Sequence, residues 1–291
     1  MRPHPHSPGH TRRRTWLVPA LLAASCMSLA PRARADQRRD FMLDLLPEGS
    51  RFIVDYFGTG AIFRLEHRKR IYGPTNDVSI TGAVVPAYPL ADAFLSGELR
   101  LLFLGLGGTV GYRHVWRELA FEPGEDGSYC EACDRKSRRE QDPLFGETKG
   151  SFHYPYAEAR ATMWFPFNEH VVMTTQGALR YEGRQDRSFD WFFSTVYDRG
   201  MLARWETTIF FKHRDWGAIG PYVQLLDLPR GGDRYTQWAW GLNASTRLGL
   251  LRRDDFLFFT LLIRPGDAIF GQHSYYAPVR SLLVYRMIFD L

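Results

Sequence analysis

Cysteine is scarce: three residues in 291, of which Cys26 falls in a leader-like N-terminus. Cys130-Glu131-Ala132-Cys133 is the one pair left. No second C-x-x-C and no H-x-H accompanies it, so a zinc-type centre lacks two ligands. A thioredoxin-like βαβ context is missing as well. In an oxidising compartment the favoured reading is a local Cys130–Cys133 disulfide pinning a polar loop. Long apolar runs are also lacking. Past the leader-like N-terminus no stretch approaches 18 consecutive apolar residues, and the uncharged run from Leu101 to Tyr112 is interrupted by Gly105, Gly107, Gly108 and Gly111, so no membrane-spanning helix is expected. Strand pattern rather than helix follows those glycines, which excludes a phosphate-binding loop and leaves strand curvature or close packing. Heptads, low-complexity tracts and fixed-period repeats are absent.

An excess of one charge is lacking too, despite a formal net charge of +5. Arg2, Arg12, Arg13, Arg14, Arg32 and Arg34 lie in the first 35 residues, with no acid beside them. Without these six, 31 basic residues face 32 acidic ones. No basic footprint for a nucleic acid remains. An apolar content of 45% beside an ordinary 24% of charged residues argues against a wholly disordered chain, and the length suits one large domain or two small ones.

The N-terminus carries a positive determinant. Arg12-Arg13-Arg14, a short apolar segment from Trp16 to Ala24, and Ala33-Arg34-Ala35 read as a cleaved secretory signal over 1–35. Arg13-Arg14-Thr15-Trp16-Leu17 also suits a twin-arginine signal, and Leu22-Ala23-Ala24-Ser25-Cys26 a lipoprotein box. The plain secretory reading is favoured over both. Residues 36–49 are then a periplasmic lead-in, and 50–291 the folded body.

What is abundant is strict alternation. Ala157, Ala159, Ala161, Met163 and Phe165 oppose Glu158, Arg160, Thr162 and Trp164. Leu179 and Tyr181 oppose Arg180 and Glu182. Ala203, Trp205, Thr207, Ile209 and Phe211 oppose Arg204, Glu206, Thr208 and Lys212. Trp238, Trp240, Leu242 and Ala244 oppose Gln237, Asn243, Ser245 and Arg247. Period two sends successive side chains to opposite faces of a strand. Segments of about ten alternating residues, with tight turns on one side and long polar loops on the other, mark a membrane-spanning barrel. Pro166-Phe167-Asn168-Glu169 and Asp198-Arg199-Gly200 supply turns, and 122–150 a long loop.

The pattern predicts an all-β fold: a closed antiparallel transmembrane barrel of 10–12 strands, with twelve preferred. Candidate segments are 51–57, 60–69, 77–88, 97–106, 109–119, 151–164, 170–182, 189–197, 201–213, 218–227, 234–248, 255–264 and 278–290. Thirteen is odd, and reading 97–119 as one long strand kinked at its glycines gives twelve. The charged faces place Arg64, Glu66, Glu158, Arg160, Arg180, Arg204, Glu206, Lys212, Arg247 and Arg286 toward the lumen. Both signs are interleaved there, so strong ion selectivity is not expected.

The chain ends inside a strand, and Leu283, Tyr285, Met287, Phe289 and Leu291 form an apolar alternate row. This resembles the C-terminal assembly signal of bacterial outer-membrane β-barrel proteins, although that family usually ends in Phe or Trp. The resemblance implies outer-membrane localisation, with membrane lipids and the barrel-assembly machinery as partners.

Enzyme signals are poor. His213-Arg214-Asp215 puts a base near an acid, and His273-Ser274 puts a base beside a hydroxyl. Adjacent strand residues point to opposite faces, so His273 and Ser274 do not naturally pair. No cofactor, metal or nucleic acid is implied. The expected function is a narrow passive pore or a structural, surface-interacting barrel. A barrel-embedded lipid hydrolase and a soluble periplasmic ligand-binding barrel are the alternatives.

Overall fold

A computed structural model describes residues 48–58, 60–73, 76–87, 90–119, 148–183, 188–190, 195–213, 217–230, 233–248, 255–263 and 279–291. The leader over 1–35, most of the lead-in, and Cys130 and Cys133 lie outside the described residues. Fourteen strands follow in chain order among those described: β1 Gly49–Phe57, β2 Gly60–Tyr72, β3 Asn76–Ala87, β4 Leu90–Leu101, β5 Leu104–Leu119, β6 Thr148–Pro166 and β7 Val171–Glu182. They continue with β8 Ser188–Asp190, β9 Thr195–Tyr197, β10 Gly200–His213, β11 Gly217–Arg230, β12 Asp233–Arg247, β13 Phe256–Ile263 and β14 Val279–Asp290. Twelve of them close into one antiparallel barrel, each paired to its neighbour in sequence, with β7 meeting β10 and β14 meeting β1. β8 and β9 form a separate two-stranded hairpin.

Twelve is the expected number, but two assignments behind it need correction. The 97–119 stretch is two strands, β4 and β5, joined at Leu102-Phe103. Turn chemistry is hidden there because the turn has no Gly, Pro, Asn or Asp. Leu102 itself adopts φ 51°, and its N–H donates to Asn76 Oδ1 at 2.8 Å. The glycines that suggested a kink sit along β5. The 189–197 segment supplies the β8–β9 hairpin instead of a barrel strand. The start of β4, 90–96, escaped detection because its interior row mixes Leu90 and Phe94 with Asp92 and Ser96, leaving no clean polar face opposite Ala91, Ala93 and Leu95.

Because the barrel strands are even in number, the first begins and the last ends at the same end of the barrel. The connections at that end are short, as between Leu101 and Leu104 or between Pro166 and Val171. In the latter, Asn168 Oδ1 accepts from the N–H groups of His170 and Val171, both at 2.8 Å. The three longest connections, β5 to β6, β7 to β10 and β13 to β14, all fall at the opposite end.

The register divides every strand into two rows. One row is exposed and apolar: Leu65, Ile80, Val84, Leu95, Val110, Leu179, Trp205, Val223, Trp238, Trp240 and Leu283 belong to it. The alternate row holds buried polar residues such as Asp55, Asp92, Arg113, Glu182 and Gln224. A soluble barrel shows the reverse, with apolar residues inside and polar ones out. Here the polar groups face each other across the interior and the apolar side chains face outward. No helix among the described residues is long and apolar enough to cross a membrane.

The interior row of β5 is built from glycines so that β6 can lay large side chains over it. A Cβ on Gly107 would stand 2.9 Å from Arg160 Nε, and one on Gly111 would stand 2.4 Å from the Tyr156 ring. Outward-facing Gly108 has only ordinary contact, 3.7 Å to the Glu158 carbonyl oxygen. Gly111→Ala is therefore expected to destabilise the barrel by about 1–3 kcal/mol through overpacking. Gly108→Ala is expected to stay within about 0.5 kcal/mol of the parent. Denaturant midpoints of the two variants folded in vesicles check this; equal midpoints would refute the packing account.

Candidate functional site

The interior carries the chemistry, and it is organised as ion-pair clusters that bridge strands. The most buried one lies toward the end with the long connections. Arg113 on β5 grips Asp92 on β4 through Nη2 at 2.8 Å and Nε at 3.0 Å. Tyr156 on β6 donates to the other Asp92 oxygen at 2.9 Å. Arg113 also reaches Tyr154 at 3.2 Å and Glu182 at 3.9 Å. Glu182 is ion-paired with Arg180, Nε lying 2.7 Å away, and accepts a hydrogen bond from the Tyr197 hydroxyl at 2.8 Å. The guanidinium of Arg180 lies 3.8 Å from the centre of the Tyr156 ring. Asp92, Arg113 and Glu182 side chains are 4% exposed or less, so water does little to screen these pairs.

The network continues around the wall. Glu158 lies 3.9 Å from Arg180 and 3.7 Å from Arg204, and Arg204 lies 3.5 Å from Glu206. Gln224 on β11 donates to Glu206 at 2.8 Å. Nearer the termini, Arg160 reaches over β5 to Glu98 at 3.3 Å. Glu98 lies 3.8 Å from Arg100, whose guanidinium sits 4.9 Å from the Trp164 ring centre. Arg68 bridges Glu66 and Asp77, both at 3.2 Å, and Arg51 lies 3.4 Å from Asp290.

A separate cluster spans the seam where β14 meets β1. Arg286 donates to the two oxygens of Asp55 at 2.6 and 3.0 Å, and Arg64 on β2 also donates to Asp55. Arg286 in turn lies 4.8 Å from the Phe258 ring centre. On the outside of the same seam, Phe52 packs against Phe289 and Phe63 at centroid distances of 6.0 and 6.3 Å.

Each of the ten charged residues singled out from the sequence occupies the interior register row. Arg64, Glu66, Glu158, Arg160, Arg180, Arg204, Glu206 and Arg286 enter the clusters above. Arg247 lies 5.4 Å from the Phe256 ring centre, and Lys212 sits opposite Ala218. The most buried members were not singled out: Asp55, Asp92 and Arg113. Their signal was the alternation of Arg51, Ile53 and Asp55, and of Asp92, Phe94, Ser96 and Glu98. The C-terminal row of Leu283, Tyr285, Met287 and Phe289 lies on the exterior, with Tyr285 donating to Asp255 at 2.6 Å.

The catalytic candidates do not assemble among the described residues. His213 is exposed on the outward row at the end of β10, and Asp215, His273 and Ser274 lie outside the described residues. A different Ser–His contact, unnoticed in the sequence, joins Ser50 Oγ to His67 Nδ1 at 3.0 Å. It is exposed, and no acid among the described residues orients His67, so the third member of a hydrolase triad is lacking. No cluster of three potential metal ligands occurs among the described residues.

No family model and no curated protein matches the chain. Among solved structures, the COG4313 outer membrane channel from Pseudomonas putida F1 is similar with a TM-score of 0.47 and 11% identity, covering 84% of this chain and 97% of that one. The NanC porin aligns with a TM-score of 0.36 and 9% identity over 84% of this chain and 100% of that one. CdiB from Acinetobacter baumannii gives 0.40 and 12% over 82% of this chain and 45% of that one. The barrel architecture stands on the strand pairing itself.

Removing one partner of a buried pair strands the other charge. Arg113→Met is therefore expected to destabilise by about 3–5 kcal/mol. Arg234→Gln, which breaks the more exposed pair with Asp227 at 2.7 Å, is expected to cost about 1 kcal/mol or less. Unfolding midpoints in the same vesicles separate the two; a small loss at Arg113 would mean that the interior pairs carry little of the stability.

Proposed function

We propose that the chain crosses the outer membrane of a Gram-negative-type bacterium and works there as a narrow passive pore. The membrane half of this reading draws on the inverted barrel: an outward apolar belt around a charged interior suits lipid outside and water within. Trp116, Tyr112 and Tyr181 lie toward one end of the outward rows and Tyr72 toward the other, where aromatic residues sit well at a membrane interface. Charged exterior contacts, Arg199 to Tyr181 and Arg234 to Asp227, also fall near a strand end. Export by the 1–35 leader and recognition of the Leu283-to-Leu291 row by the assembly machinery complete the proposed route.

The pore half rests on one observation. Interior guanidinium side chains of Arg64, Arg160 and Arg286 are 25–29% exposed. In a plugged barrel they would be as buried as Arg113. Water-sized space beside charged groups is what a narrow conducting path requires. The reading as a closed structural barrel draws on the Asp92–Arg113–Glu182 cluster, which fills its part of the lumen. Among the described residues no acid joins Ser50 and His67 to complete a hydrolase site.

Two measurements test the proposal in sequence. Unheated protein from the outer-membrane fraction is expected to migrate differently from boiled protein on a denaturing gel, as a closed barrel does. Phe289→Ser is expected to abolish that form while export continues. A soluble protein with the same migration in both lanes would overturn the membrane reading. Purified barrel in planar bilayers is then expected to give discrete conductance steps. Folded barrel without any conductance would favour the structural role.

A further inference from the structure

In parts of the interior the two signs of charge are not equally available to a solute. Among the ion-paired side chains, Asp55, Asp92 and Glu182 are 2% exposed or less, whereas Arg64 and Arg286 reach 25% and 29%. Asp55 lies against the wall with the guanidiniums of Arg64 and Arg286 in front of it, whereas elsewhere the order varies, Glu98 and Glu206 being 24% exposed and Arg113 4%. This separation by depth is invisible in a one-dimensional pattern, where the signs merely interleave.

It is sharpest at the seam. Asp55 receives three hydrogen bonds from two arginines, and the three side chains together carry one net positive charge. Arg286 spends Nε and Nη2 on Asp55, and Arg64 spends only Nη2. One terminal nitrogen of each guanidinium thus keeps its donors uncommitted among the described residues. Glu66, the next acid along β2, is already held by Arg68 at 3.2 Å.

The surroundings are apolar. The interior residues next to the triad in the register are Ile53, Ile62, Ala83, Phe256, Val284 and Ile288. Phe258 lies over Arg286. One step further along β14 the interior row reaches Leu282, which is 41% exposed. An aqueous pore gains nothing from apolar side chains left open to its water, since apolar surface prefers to be covered. Two arginines with spare donors set in an aliphatic and aromatic wall match a ligand with one anionic group and an apolar body.

We propose that Arg64, Asp55 and Arg286 form a binding site within the barrel for an organic anion with an apolar body, of the medium-chain carboxylate class. The guanidiniums of Arg64 and Arg286 hold the carboxylate while Phe258, Val284 and Ile288 cover the hydrocarbon. This inference rests on the pore reading and adds the solute class to it.

The test uses the full-length mature barrel in planar bilayers, with hexanoate and acetate as probes. Under a KCl gradient the reversal potential is expected on the anion side. Hexanoate is expected to reduce the chloride current at a concentration at least about tenfold below acetate, because its extra methylenes are removed from water. Arg64→Gln leaves Asp55 held by Arg286 and so preserves the fold, which heat-modifiable migration verifies. That variant is expected to lose most of the hexanoate preference and to move the reversal potential toward zero. Arg234→Gln, outside the lumen, is expected to behave as the parent. A conducting barrel with equal responses to hexanoate and acetate, or an Arg64→Gln channel indistinguishable from the parent, would overturn the site while leaving the pore intact. A folded barrel that conducts nothing would overturn the pore reading and this inference with it.

Discussion

The pairing of β14 with β1 is the contact on which everything else depends. An open sheet presents two rows of unpaired N–H and C=O groups, and within lipid no water is available to satisfy them. Seven residue pairs from Arg51–Asp290 to Phe57–Val284 remove both edges at once. The seam is reinforced on both surfaces: Phe52 packs on Phe289 outside, and Asp55 joins Arg286 and Arg64 inside. Since β1 forms near the start of the folded body and β14 at its end, this join brings together the most distant parts of the sequence. Loops must close before it rewards them, which makes it the natural last step of barrel formation.

Charge in the interior has a different logic from charge on a soluble surface. Taking a carboxylate or guanidinium out of water is expensive, and the loss is recovered only where geometry and additional hydrogen bonds are good. Asp92 meets that condition with two arginine contacts and a tyrosine hydroxyl, and Glu182 meets it with Arg180 and Tyr197. These clusters tie β4 through β7 together by side chains as well as by backbone. On β13 the interior row is Phe256, Phe258, Thr260 and Leu262, without a charge, while β14 sets Arg286 and Asp290 beside Leu282, Val284 and Ile288.

Much of the architecture was legible because a barrel strand writes its two environments alternately. β6, β10 and β12 are clean examples, with charged and aromatic residues on alternate positions along each strand. β13 was harder, since Phe-Leu-Phe-Phe-Thr-Leu-Leu-Ile is apolar on both sides. The β4–β5 turn was missed because Leu102 takes a left-handed conformation that the side chain of Asn76, distant in sequence, helps to hold. The site was less legible than the fold. Alternation says which face a residue occupies, but not how deeply its charge is shielded or which strand supplies its partner. Arg160 meets Glu98 across an intervening strand, and Asp55 meets Arg286 from the far end of the chain; neither pairing leaves a local trace.

The glycines of β5 have a bearing on the bore of the barrel. Without side chains at Gly107 and Gly111, Arg160 and Tyr156 lie flat over β5 and reach Glu98 and Asp92 on the strand beyond. Long side chains laid along the wall take up about one side-chain thickness of radius instead of their full length. The inner lining there behaves like a tiled surface, with each tile fastened at both edges. A twelve-stranded ring can then carry bulky arginines and tyrosines close against its wall. Its calibre on that side is set by the smallest residues in the chain.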